Sequence, residues 1–254
     1  MWAALVRDRL GIDDPRAQML RFHTQTAGSM LTADQPEVNA VRVTVQALAA
    51  VLGGTQSLHT NSYDEALGLP TEATARLALR TQQVLAEESG VADVVDPLGG
   101  SPFVEALTDE IEEAARAEMQ RIDDDYEGMV GAVRAGYVQR EIHREAVRYQ
   151  KAVEGGTRSV VGVNCHRVED EEPAEAFRPD PSARSEIDAS LAAVREERDG
   201  GAVQAALDRL AGAAASAEAL GPPVLAAVEA YATVGEICDA LATEFAPYSA
   251  TSVF

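Results

Sequence analysis

The sequence predicts an α/β fold, with parallel strands and crossover helices in its first third and a mostly helical remainder. Three observations support this. Short alternating runs at 19–25 and 55–60 are each followed by a helical apolar period, and strand–helix–strand–helix is the crossover pattern of a parallel sheet. From Val104 onward the spacing is helical nearly throughout. A chain of 254 residues is also long enough to bury a sizeable core.

The elements follow in order. Trp2–Leu10 reads as a helix broken by Gly11 before Asp13-Asp14-Pro15. Met19–Gln25 alternates as a strand, with Leu20 and Phe22 on one side and Arg21, His23 and Gln25 on the other. Past Ala27-Gly28-Ser29, Val38, Val41, Val45, Leu48 and Leu52 form one helical stripe; Pro36 suits its first turn and Gly53-Gly54 stops it. A second strand is expected at Thr55–Thr60 and a helix from Thr71 to Ser89-Gly90. Asp96–Pro102 is turn-rich. Helices are expected from Val104 to about Asp124, from Met129, and from Arg140 to Val153, with an isolated apolar strand at Val160-Val161-Gly162-Val163. Residues 168–185 are acidic and proline-containing, as in a linker or tether. Ile187–Ala217 and Pro223–Leu241 read as alanine-rich helices. The expected organisation is a domain at 1–167, a linker at 168–185 and a helical extension at 186–254.

Composition narrows the function classes. No run of eighteen apolar residues is present, so no membrane partner is expected. The first residues lack the order of a signal peptide. Two cysteines, Cys165 and Cys238, suit a reducing compartment, and a cytoplasmic location is expected. Lys plus Arg is 21 against 42 Asp plus Glu, a net charge of −21 that opposes nucleic-acid binding. Every basic residue except Lys151 is arginine. Adaptation to a high-salt cytoplasm accounts for the acid excess, whereas an arginine-rich, high-GC genome accounts for the arginine alone; both readings stay open.

The four histidines, His23, His59, His143 and His166, include no pair at i, i+4, and no Cys-x-x-Cys, Walker loop or Gly-x-Ser-x-Gly occurs. A metal site, a phosphate loop and a nucleophile elbow are therefore not expected. His23 and Gln25 share a strand face at a strand end that runs into a glycine loop, where barrel enzymes place polar groups. A hydrogen-bonded core histidine is the other reading of His23. Gln56 stands in the same relation to the second strand, with Asn61, Asp64 and Glu65 in the loop beyond it. Gln56 and His59 face opposite ways in a regular strand, so at most one of them lines a lumen. A complete (βα)8 barrel needs about 250 residues, but only two or three strands are offered here.

Phe22-His23-Thr24-Gln25-Thr26-Ala27-Gly28, followed by Gly53-Gly54-Thr55-Gln56-Ser57-Leu58-His59-Thr60-Asn61-Ser62-Tyr63-Asp64-Glu65-Ala66-Leu67, closely resembles the large subunit of the methylmalonyl-CoA mutase family. The likeness continues through Leu69-Pro70-Thr71-Glu72, Glu88-Ser89-Gly90, Asp96–Ser101, Val161-Gly162-Val163-Asn164 and Tyr231–Ile237. The resemblance implies the C-terminal part of a TIM barrel, its last two βα units, followed by a mostly helical extension. It implies an adenosylcobalamin-dependent isomerisation of an acyl-CoA, methylmalonyl-CoA to succinyl-CoA by default, with isobutyryl- and ethylmalonyl-CoA mutases as alternatives. The cofactor carries the radical chemistry while the barrel excludes water. By the same resemblance His23, Gln25, Gln56 and Asn61 line the substrate and adenosyl cavity. Gly28, Glu65 and Gly68 meet cobalamin, Gly28 because a flat corrin needs the backbone close.

The family's first six strands carry a substrate-clamping arginine and a catalytic tyrosine and histidine, which have no counterpart here; no catalytic residue is assigned in this chain. The Asp-x-His-x-x-Gly loop of the cobalamin domain has none either. Met1 falls inside the helix before the seventh strand. The implied partners are an acyl-CoA substrate, a separate cobalamin-binding subunit and the remaining barrel half on another chain. The alternative is a truncated, non-catalytic fragment that binds a mutase chain.

Overall fold

A computed structural model describes residues 1–169, 176–178 and 180–246. They divide into two compact units, the first ending at Phe177 and the second beginning at Arg178. Of the acidic stretch 168–185, residues 170–175 and 179 lie outside the described residues, and Ser182 onward is helical.

The first unit opens with helix α1 (Trp2–Ala4), which runs into a wider π-helical turn over Leu5–Arg9 and ends at Gly11, where φ is +67°. Asp13-Asp14-Pro15, expected only as a break, starts a further short helix, α2 (Pro15–Gln18). The Asp14 carboxylate accepts from the Arg16 amide at 2.8 Å, and proline occupies the first turn.

Strand β1 covers only His23–Gln25 of the expected 19–25, and β2 only Ser57–His59 of 55–60. Backbone pairing sets both lengths, because no third strand joins the sheet among the described residues. The two strands are parallel, with His23 opposite Ser57, Thr24 opposite Leu58 and Gln25 opposite His59. Helix α3 (Val38–Leu52) makes the crossover and ends at Gly53; α4 (Glu72–Glu88) follows β2, with Thr71 capping the Thr74 amide. The βα units are therefore as expected.

The buried stripe of α3 is different from the expected one. Asn39, Val43 and Ala47 are buried, while Val41 and Val45 are 64% and 63% exposed. The cause is Asn39. Its amide donates to the carbonyls of Thr32 and Tyr63, both at 2.8 Å, and its Oδ1 accepts from the Thr32 amide and from Arg42. Satisfying this buried hub rotates the helix away from its most apolar face.

Helix α5 (Pro102–Tyr126) turns through Glu127 and Gly128, both at positive φ, into α6 (Met129–Arg134), and α7 (Tyr137–Glu154) follows. Ile122, Ala132 and Tyr137 form their shared core, with the Tyr126 ring stacked on Tyr137 at 4.7 Å. The Tyr137 hydroxyl donates to Glu118 at 2.6 Å, which raises its pKa and lowers that of Glu118. Val160–Val163 is a turn rather than the expected strand. Gly162 sits at φ +86° and donates to the Cys165 carbonyl, and only an isolated bridge joins Val161 to Cys165. Asn164 closes the turn: its Nδ2 donates to Val153 and Arg158, and its Oδ1 accepts from the Val160 amide. Cys165 and His166 therefore do not alternate across a strand, and His166 has φ +52°.

In the second unit, each of the two long helices expected is broken. The elements are α8 (Ser182–Glu197), α9 (Gly200–Ala214), α10 (Gly221–Glu229) and α11 (Val234–Ala242). Asp199 caps α9 by accepting from the Gly201 and Ala202 amides. Thr233 and Glu236 form a capping box at the start of α11. Val203, Leu210, Ala213, Ala214, Pro223 and Ala227 make the buried core of this unit.

Candidate functional site

Because the two strands are parallel and in register, one face of the sheet carries His23, Gln25, Ser57 and His59, all exposed. Thr24 and Leu58, half-buried, point the other way. His23 Nδ1 lies 2.7 Å from Ser57 Oγ, directly across the ladder. The face offers two imidazoles, an amide and a hydroxyl. With no carboxylate among the described residues bonded to His23, it suits orientation of a polar ligand better than nucleophilic attack.

The chain ends of both strands converge on the loop after β2. The Thr26 amide donates to the His59 carbonyl, and the Thr26 hydroxyl, buried, accepts from the Asn61 amide at 2.9 Å. Gln25 Nε2 donates to Asn61 Oδ1 at 3.3 Å. Asn61 is 2% exposed, and its Nδ2 has no hydrogen-bond partner among the described residues. Across the gap sits Gly28: a Cβ there would lie 2.9 Å from Asn61 Nδ2 and 3.4 Å from Glu65 Cγ. A side chain at position 28 would therefore displace the Asn61 amide. Gly68 donates its amide to the Asp64 carbonyl, and a Cβ at Gly68 would meet nothing within 4 Å.

Among the expected site residues, the structure gathers Gln25, Asn61, Gly28 and Glu65, with His23 on the same sheet face and Gly68 at the outer end of the loop turn. Gln56 is not among them. Its Oε1 accepts from the Phe22 amide at 2.8 Å and its Nε2 donates to the Gly54 carbonyl, at the opposite end of the strands. Of the pair Gln56 and His59, His59 shares the open face. Ser57 and His59 share that face as well, which the register with Leu58 turned inward shows. Asp64, expected in the loop, is buried with Thr26, Thr60, Ser62 and Thr74, four residues the sequence does not single out. Polar residues that hold a loop from inside leave no apolar period to read.

Two open clefts of the first unit lie elsewhere. One of about 700 Å³ is lined by Val51, Gly54, Val94, Leu98 and Val104, and one of about 440 Å³ by Val41, Val45, Tyr149 and Arg158. Neither includes a residue of the strand-end group. Among the described residues, no helix is long and apolar enough to cross a membrane.

Comparison with known proteins adds a family to this geometry. The family model for methylmalonyl-CoA mutase matches residues 1–247. The methylmalonyl-CoA mutase of Escherichia coli is 44% identical over 98% of this chain and 35% of its own length. A probable mitochondrial methylmalonyl-CoA mutase of Caenorhabditis elegans is 42% identical over 99% of this chain and 34% of its own length. The 2-hydroxyisobutanoyl-CoA mutase large subunit of Aquincola tertiaricarbonis is 42% identical over 100% of this chain and 45% of its own length. The chain thus spans about a third to under half the length of these relatives.

Proposed function

The chain belongs to the methylmalonyl-CoA mutase family, and from that premise we propose that it forms the last two βα units of an acyl-CoA mutase barrel together with their helical extension. The reaction is an adenosylcobalamin-dependent carbon-skeleton isomerisation, methylmalonyl-CoA to succinyl-CoA. The remaining barrel half and the cobalamin-binding subunit are the partners that complete the enzyme. The carrying observation is the convergence of Gln25, Gly28, Asn61 and Glu65 at the chain ends of two parallel strands, the end at which barrel enzymes place their sites.

The residues present fit the cofactor. Asn61 Nδ2 is a buried amide donor lacking an acceptor among the described residues, and Gly28 keeps the backbone low beside it. Gly28, Glu65 and Gly68 would hold cobalamin, while His23, Gln25 and Asn61, with Ser57 and His59 of the same sheet face, would face the adenosyl group and substrate. When bound, adenosylcobalamin supplies radical chemistry through homolysis of its cobalt–carbon bond. This chain's residues orient: Gln25 holds the Asn61 amide and Ser57 the His23 ring.

The test is reconstitution. Purified chain is combined with the segments of the Escherichia coli relative that it does not match, and conversion of methylmalonyl-CoA to succinyl-CoA is followed with adenosylcobalamin. Turnover is expected from the assembly and none from the chain alone. An assembly that forms but neither binds cobalamin nor isomerises the thioester would overturn the reading.

A further inference from the structure

Resting on that reading, we propose that Asp64 is a positioning residue, a buried carboxylate that clamps the loop after β2 onto α4 and so presents Asn61 and Glu65 to the cofactor. Asp64 is 4% exposed. Its Oδ2 accepts from the Thr74 hydroxyl at 2.8 Å, in the first turn of α4, and from the amide of its N-cap Thr71 at 3.4 Å. Its backbone carbonyl accepts from the Leu67 amide at 2.8 Å and the Gly68 amide at 3.2 Å, so the whole turn is wound around this residue. Asn61 lies three positions before it, Glu65 follows it, and Gly68 is tied to it.

Among the described residues Asp64 Oδ1, Ser62 Oγ and Asn61 Nδ2 have no hydrogen-bond partner. Three such buried polar atoms within four residues leave the loop with bonding capacity that a bound group or ordered water satisfies. A Cβ on Gly28 would lie 2.9 Å from Asn61 Nδ2 and 3.4 Å from Glu65 Cγ, so both side chains that the loop presents stand against the bare backbone at Gly28. The Thr26 hydroxyl fixes the start of the loop through the Asn61 amide, and Asp64 fixes its end.

The experiment compares Asp64→Ala, Thr74→Val, their double variant and Thr71→Ala. Thr71→Ala removes the α4 cap and leaves the Asp64 carboxylate in place. Hydrogen exchange on the full chain reads the loop directly. Asp64→Ala should speed exchange of the Glu65, Leu67 and Gly68 amides at least tenfold while leaving the interior of α4 unchanged. In the reconstituted assembly, adenosylcobalamin titrated by absorbance should bind at least tenfold more weakly to Asp64→Ala and Thr74→Val. The double variant should be no weaker than Asp64→Ala, and Thr71→Ala should change affinity less than threefold. Unchanged loop exchange overturns the proposal, as does a Thr71→Ala loss equal to that of Asp64→Ala, which would make Asp64 a helix cap only. If the unaltered assembly binds no cobalamin, the cofactor reading fails instead, and the exchange measurement alone decides whether Asp64 holds the loop.

Discussion

Gly131 is where a single added carbon is least tolerable. A Cβ there would lie 1.8 Å from the Tyr126 carbonyl oxygen, because Glu127 and Gly128 fold α6 tightly back on the end of α5. Backbone cannot step aside as a side chain can. Gly131→Ala should therefore destabilise the chain by about 3 kcal/mol in a denaturant titration. Gly212 in α9, with nothing within 4 Å of its Cβ position, should become more stable as alanine by about 0.5–1 kcal/mol. Equal effects at the two sites would contradict the packing described. A second residue-scale test concerns Glu236. Two bonds from the Arg198 guanidinium, then the Thr233 amide and hydroxyl, hold its carboxyl far below the ordinary 4.5. A depressed folded-state pKa means stability that is fully present above the unfolded value and is lost as pH falls through 4.5 toward the folded one. Glu236→Gln should lower the melting temperature at pH 7 and flatten its fall below pH 5; a variant whose acid limb matches the parent's would refute this linkage. Side-chain parity was the readable part at this scale. His23 and Gln25 follow from alternation alone, whereas choosing His59 over Gln56 needed the register. That register rests on Phe22 exchanging backbone and side-chain bonds with Gln56.

At the scale of elements, stop and start signals were more legible than faces. Gly53 and Thr71 mark the end of α3 and the start of α4 as their chemistry dictates, whereas α5 starts at Pro102, two residues before the expected Val104. The break between α8 and α9 was missed because alanine-rich sequence continues on both sides, although Asp199-Gly200-Gly201 holds a cap and two poor helix formers. The strand expected at Val160–Val163 failed for the opposite reason. Four apolar residues satisfy a strand pattern, but Gly162 at positive φ and the three bonds of Asn164 make a turn instead. What remains exposed is the sheet itself. Two three-residue strands leave backbone groups on their outer edges without a ladder, and Met19, Leu20 and Phe22 beside β1 are 57%, 52% and 37% exposed. Open edges of this kind recruit further strands. The chain alone should therefore self-associate in light scattering, and Leu20→Asp, at an exposed position, should shift it toward monomer without loss of helix. A cooperative monomer of the unaltered chain would show that this edge needs no partner.

Across the whole molecule the dominant quantity is the net charge of −21. Ion pairs do little against it. Arg76–Glu72, Arg116–Glu112, Arg144–Glu141 and Arg184–Asp188 are helix-surface pairs three or four residues apart, each worth about 0–1 kcal/mol and weakened by salt. The acids outnumber the bases two to one, 42 against 21, so even with every base paired half of the carboxylates lack an opposite charge. Raising salt therefore has two opposed effects: it removes small attractions at a few pairs and a distributed repulsion over the whole surface. Charge balance decides the sign. Screening shortens from about 10 Å at 0.1 M to about 3 Å at 1 M, a range over which neighbouring carboxylates cease to interact while hydrogen-bonded pairs such as Arg198–Glu236 still touch. Stability should rise between 0.1 M and molar KCl, read as a higher melting temperature. Tetramethylammonium chloride, of equal ionic strength but with a poorly coordinating cation, separates screening from carboxylate-bound potassium. The same rise in both salts identifies screening, and a rise in KCl alone identifies cation binding at the acidic surface. A melting temperature that is flat or falling in both would leave the acid excess without a role in salt tolerance and favour the compositional reading of the arginines.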